Sequence, residues 1–410
     1  MKKLILSSVF AGLVLASGVE ASTAAAPQKA PYGAFVINAD FAAGYWANLY
    51  HKTPDGLKDD SIDTDDWMKR GLVALSDSKM TFKTEGGCSA VAFGATVKLD
   101  VNAAAKDFTG LLRDTYVFGR FGNMIEVRIG SQRDAMWSMV DADSLMGGTY
   151  GYNGYYGNLL KSTTSAGQTR KERFILDLTH KNDTWYTNAL EVRTVRMAGL
   201  QAILNWKPSA AYKGRLGTYG DGQRIAGVAN NILSASVNYD NTFGDFRVRV
   251  SAAGVYEASD RTDAKGVKIA DQNENFTYRL GSAFSWKSFD IGFGWADDCS
   301  TGFAAGNNKD GNAGKKIHGV VGLQFDNTMW KPRISVGALY GWKNGKDSTI
   351  KNNDTTLAVS GALDLNIREG FRWFVEGTWA GLDYNNLTEV SDKGLSEPNF
   401  ILGTGLAVSQ

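Results

Sequence analysis

Cysteine, histidine and proline are scarce in this chain: two, three and six among 410 residues. Two thiols cannot make a disulfide scaffold. The histidines stand far apart at His51, His180 and His318, so a base held beside a nucleophile is not expected. No GxSxG, HExxH, P-loop or CxxC spacing occurs. The acidic stretch 55–66 lacks the glycine and glutamate placement of a calcium loop and reads as a solvated loop. Together these absences predict a chain that is not an enzyme and carries neither cofactor nor metal. Charge of one sign is missing too: 44 basic residues face 43 acidic ones, which excludes a nucleic-acid partner held by bulk electrostatics.

Long apolar runs are also absent. The one run near the N-terminus, residues 4–15, is too short to span a bilayer. Lys2 and Lys3 precede it, and Val19 and Ala21 place small residues before Ser22, so residues 1–21 read as a secretory signal peptide. Its removal would leave basic and acidic residues equal in number. Residues 22–32, rich in alanine with Pro27 and Pro31, read as a short leader.

What the chain does have is glycine (47) and aromatic residues (20 Phe, 16 Tyr, 11 Trp), set in runs of period two. In one run Val91, Phe93, Ala95, Val97 and Leu99 share a face, while Ala92, Gly94, Thr96 and Lys98 share the other. Phe289, Ile291, Phe293 and Trp295 alternate with Asp290, Gly292 and Gly294 in the same way. Leu357, Val359, Leu363 and Leu365 do so against Ser360, Asp364 and Asn366.

Sixteen such strands are expected, at about 33–45, 70–84, 88–101, 112–121, 123–133, 172–182, 188–206, 231–240, 246–258, 275–287, 289–299, 316–326, 331–343, 354–368, 371–385 and 398–410. Tight turns at 85–87, 121–123, 183–187, 241–245, 287–288, 327–330 and 368–370 alternate with long polar loops. Hairpins tight at one end and long at the other describe a closed antiparallel β-barrel across a membrane over residues 33–410. Apolar residues would meet lipid and small polar ones would meet water. Such alternation hides from averaged hydropathy, which is only −0.25. Aromatics at strand ends fit a girdle at the lipid–water boundary: Tyr45, Trp46, Trp185, Trp206, Trp286, Trp330, Trp342, Trp373 and Trp379. Cys88 and Cys299 fall at opposite ends of such a barrel, too far apart for a bridge.

The segment 113–133 reads RDTYVFGRFGNMIEVRIGSQR, a hairpin turning at Phe121-Gly122-Asn123. Arg113, Tyr116, Val117, Gly119, Arg120, Phe121, Gly122, Val127, Arg128 and Gly130 in that order resemble the hairpin before the constriction loop of Gram-negative general porins, the trimeric sixteen-stranded outer-membrane channels. The longest loop follows it, at 134–171, with Asp134, Asp141, Asp143 and a Gly/Tyr-rich stretch at 146–158. The resemblance implies that this third external loop folds inward and narrows the barrel. It also implies that Asp141 and Asp143, with Asp134 at the loop's base, form the acidic side of the constriction.

Basic partners are sought on the small-residue faces of strands: Lys98, Arg128, Arg113, Arg133 and Arg372. Arg113 and Arg120 have opposite parity, so only one of them can face the lumen in mid-strand. Opposed charges across a narrow water path would orient polar solutes and set ion preference. The resemblance implies passive diffusion of small hydrophilic solutes and ions, a homotrimer, and outer-membrane lipid and lipopolysaccharide as surroundings. A sugar- or anion-selective channel and a surface-exposed structural or adhesion barrel with an occluded pore are the alternatives. Where the family ends in Phe, this chain ends in Gln410, although Phe400, Leu402, Leu406 and Val408 keep the outward alternation.

Overall fold

The computed structural model describes residues 34–51, 73–88, 90–100, 112–122, 124–139, 145–147, 187–209, 228–262, 275–300, 314–343, 354–384 and 395–409. They form sixteen strands: β1 (Ala34–His51), β2 (Val73–Gly87), β3 (Val91–Asp100), β4 (Leu112–Phe121), β5 (Ile125–Gln132), β6 (Thr187–Thr194), β7 (Leu200–Ser209), β8 (Val228–Phe243), β9 (Phe246–Thr262), β10 (Asn275–Trp286), β11 (Phe289–Ser300), β12 (Gly314–Gln324), β13 (Arg333–Lys343), β14 (Asp354–Arg368), β15 (Phe371–Tyr384) and β16 (Leu395–Ser409). Each is antiparallel to its chain neighbours, and β1 pairs with both β2 and β16. The ring has no free edge to present to another chain.

The faces are inside out compared with those of a water-soluble sheet. On β8, Leu233 and Val237 are exposed on the outer wall, while Ser234, Ser236 and Asn238 are buried within. On β14, Leu357 and Val359 point out, and Thr356, Ser360 and Asp364 point in. On β3, Phe93 is 63 % exposed and Thr96 is buried. An apolar wall of this extent has its lowest free energy against hydrocarbon rather than water. Among the expected girdle residues, Tyr45, Trp206, Trp286, Trp330 and Trp379 are exposed on that wall. Trp342 and Trp373 are half-buried, and the side chain of Trp46 and all of Trp185 lie outside the described residues.

The tight turns gather at one end. Two-residue turns at Gly244-Asp245, Lys287-Ser288 and Glu369-Gly370 each begin or end on a positive φ (Gly244 60°, Lys287 50°, Gly370 72°). That backbone hand matches the twist of the strands they join. Neighbouring turns are stitched together: Gly122 N–H donates to Ala90 O at 2.7 Å, Gln324 to Ser288 at 2.8 Å and Asn366 to Trp330 at 2.8 Å. Cys88 is exposed at this end as a free thiol, whereas β11 runs on to Cys299 at the opposite end.

The structure departs from the sequence reading around residue 190. The single strand expected at 188–206 is a hairpin, β6 and β7, reversing between Val195 and Gly199. Ala198 (φ 48°) and Gly199 (φ 86°) make the reversal. No Asn-Gly or Asp-Gly pair marks it in the long, charged stretch 190–206. The strand expected at 172–182 and the turn at 183–186 lie outside the described residues, and β5 bonds directly to β6 through Ile125–Thr194 and Gln132–Thr187.

Candidate functional site

The site is built where the chain leaves β5. Asp134 Oδ1 accepts the N–H of Met136 at 3.0 Å and so caps a short 3-10 turn, Ala135–Ser138. This turn lies inside the ring. Ala135 N–H donates to Ser234 Oγ at 3.0 Å, the hydroxyls of Ser138 and Ser236 are 2.9 Å apart, and Asn238 Nδ2 donates to Ser138 Oγ at 3.2 Å. Met136 packs on Ile232, Ala253 and Val255, the apolar part of the inner wall of β8 and β9.

Farther on, the same loop touches the other side. Arg333 Nη2 donates to Leu145 O at 2.8 Å, and Gly147 N–H donates to Ser335 Oγ at 2.7 Å. A Cβ at Gly147 would stand 2.2 Å from Asp364 Oδ2 and 2.9 Å from Ser335 Oγ, so any larger residue would force those two side chains to move. Since β13 is eight strands round from β5 in a ring of sixteen, the segment reaches from one wall to the opposite one.

Inward-facing charges surround it. On the wall of β3 to β6, Lys98 pairs with Asp114 at 3.2 Å and Arg128 with Glu126 at 2.6 Å. Arg128 also approaches Glu191 at 3.7 Å, and Arg193 pairs with Glu191 as well. Arg120 joins Glu85 (2.9 Å) to Glu126 (2.8 Å). The guanidinium of Arg128 lies 4.6 Å from the Tyr116 ring centroid, and that of Arg133 lies 4.5 Å from Trp137. A cavity of about 310 Å³ opens between this wall and the loop, lined in part by Lys98, Tyr116, Arg128, Trp137 and Arg193.

Farther round the ring, Asp240 takes both Arg196 (2.7 Å) and Arg247 (2.8 Å), Asp290 takes Arg333 (3.2 Å), and Asp364 takes Arg372 (3.1 Å). Arg249 Nε and Arg279 Nη2 have no hydrogen-bond partner among the described residues.

Of the residues singled out from sequence, Lys98, Arg128 and Arg372 point inward, each in an ion pair. Arg133 stands at the root of the loop, its N–H 3.4 Å from Asp114 Oδ1. Asp134 is 3 % exposed and serves as the cap described above. Asp141, Asp143 and the side chain of Arg113 lie outside the described residues. The phase of β4 is set by Phe118, which is buried, and Val117, which is 59 % exposed, so Arg120 shares the inner face. The acids Glu85, Asp114, Glu126, Glu191 and Asp240 were not singled out from sequence. Their signal was available: each sits at the small-residue parity of its strand, two residues or one cross-strand step from an arginine or lysine.

No family model matches the chain, and no curated protein matches it. Solved structures do. The anion-selective porin from Comamonas acidovorans shares 9 % identity at a TM-score of 0.54, over 92 % of this chain and 100 % of that one. OmpT, an outer membrane protein of Vibrio cholerae in its trimer form, shares 10 % identity at 0.55, over 92 % and 99 %. A substituted porin of Rh. blastica shares 14 % identity at 0.50, over 92 % and 100 %. At such identities the likeness concerns architecture: the fold is that of a porin-like outer-membrane β-barrel.

Proposed function

We propose that this chain is an outer-membrane channel through which small hydrophilic solutes and ions diffuse passively. In this reading residues 1–21 direct secretion, the barrel stands in lipid and lipopolysaccharide, and three copies associate through their apolar walls. Loop 134–171 narrows the water path, with Asp141 and Asp143 opposite the basic wall. The observation that carries the reading is the loop segment tied to Ser234 on one side and to Ser335 on the other, inside a ring whose outer wall is apolar.

A lumen lined by paired charges holds water, because burying those groups dry would be costly. Their opposed signs set a transverse field where the loop leaves least room. Porin-like neighbours support the channel class without indicating its solute. Such a channel does no covalent chemistry.

Purified protein added to a planar bilayer tests this directly. Stepwise, ohmic increments of conductance are expected, and a crosslinking ladder ending at three subunits should accompany them in mild detergent. A protein that inserts and stays silent would overturn the reading.

A further inference from the structure

The outer wall is not uniform. Near the short-turn end of β9, β10 and β11, Phe246, Phe284, Trp286, Phe289 and Ile291 line an outward groove of about 420 Å³. Strand register brings them together: Trp286 stands opposite both Phe246 and Phe289, and Phe284 stands opposite Ile291. The rings of Phe246 and Phe284 lie 6.2 Å apart and within 14° of parallel, giving the groove one flat side. Every lining side chain is apolar or aromatic.

The chain reverses at Lys287-Ser288 just past the end of this groove. The ammonium of Lys287 stands 5.3 Å from the centroid of the Trp286 ring. No ion pair engages it among the described residues. A concave apolar track inside the hydrocarbon layer, ending at a cation on the water boundary, has the chemistry of an amphiphile with an anionic head.

We infer that this groove holds an acyl chain of an anionic phospholipid in the leaflet at the short-turn end, with Lys287 contacting the phosphate. The inference rests on the membrane-spanning reading of the barrel. A lipid supplies both an apolar tail for the groove and an anion for the ammonium at its end, whereas an apolar protein wall would supply only the first.

Native mass spectrometry of protein released from micelles containing equal phosphatidylglycerol and phosphatidylcholine of the same chain length tests the site. Retention of phosphatidylglycerol is expected to exceed that of phosphatidylcholine. Lys287→Asn, which tolerates the positive φ and removes the charge, should lower that preference about five-fold. Ile291→Trp, which fills the groove, should lower retention of both lipids.

Equal retention of the two lipids by the parent protein would overturn the inference, as would an unchanged preference in Lys287→Asn. Loss of subunit association in Ile291→Trp with lipid retention unchanged would assign the groove to a second chain instead. Conductance recorded on the same preparations separates the two proposals. A conducting protein without lipid preference refutes only the groove, and a silent one with lipid preference refutes only the channel.

Discussion

The N–H of Gly147 and the hydroxyl of Ser335 meet at 2.7 Å although 188 residues separate them in the chain. This bond fastens the far end of the inward segment to β13. A neutral hydrogen bond contributes about 1 kcal/mol, so Ser335→Ala should leave the barrel folded and loosen only the loop. Gly147→Val should do more, because its side chain would crowd both Asp364 and Ser335. In single-channel records, Ser335→Ala is expected to add fluctuation, and Gly147→Val to change the mean open conductance as well. Identical traces for all three proteins would refute the loop's place in the conducting path.

Ion preference should follow the charges on the two sides of that loop. Asp141→Asn with Asp143→Asn is expected to move the reversal potential in a salt gradient toward anions. Arg249→Gln with Arg279→Gln should move it toward cations, because those two nitrogens lack partners among the described residues. Neutralising a charge shifts preference only if ions pass near it, so a null result would remove the pair in question from the path.

Gly130 faces Tyr116 across the β4–β5 hairpin at φ 142°. A Cβ there would stand 2.3 Å from Thr115 O and 2.7 Å from Tyr116 Cα. Gly130→Ala should therefore destabilise the barrel by about 1–3 kcal/mol, seen as a lower temperature for loss of the compact band on a semi-native gel. Gly119→Ala, whose nearest neighbours are ring atoms of Phe121 at 3.6 Å, is the matched control and should change little.

Arg120 joins Glu85 to Glu126, a carboxylate whose side chain is only 7 % exposed. Arg120→Ala strips one partner from each, at a cost of about 1–3 kcal/mol. Glu126 keeps Arg128 at 2.6 Å in that variant, so Glu126→Gln should itself cost stability, and should cost less when Arg120 is already alanine. Additive losses in the double-mutant cycle would show that the two side chains are uncoupled.

Cys88 is exposed at the short-turn end, and hydrogen bonds from the backbone around Val91 and Ala90 hold its thiol below the ordinary value. A lowered thiol value means that thiolate persists at lower pH, and thiolate is the reacting species. Labelling of the folded protein by a membrane-impermeant maleimide should go to completion, with its rate falling off at a lower pH than for free cysteine. A Cys88→Ser variant gives the background from Cys299.

The alternation of large apolar and small polar residues, with short and long connections taking turns, was enough by itself to define an antiparallel barrel with its apolar face outward. A side chain in a strand has only two directions, so parity alone sorts Lys98, Arg128 and Arg372 to the inside. Parity could not decide β4, where both faces carry an arginine, until Phe118 was seen buried and Val117 exposed. Nor did it reveal the reversal at Ala198-Gly199, because a lone glycine preceded by alanine carries a weaker turn signal than an Asn-Gly or Asp-Gly pair.

Only the tertiary structure decided which walls the segment after β5 touches. Those contacts join residues about a hundred to two hundred positions apart, such as Ala135 with Ser234 and Gly147 with Ser335. Local periodicity carries no record of such distances. They are set when the ring closes and brings its opposite faces within reach of one loop.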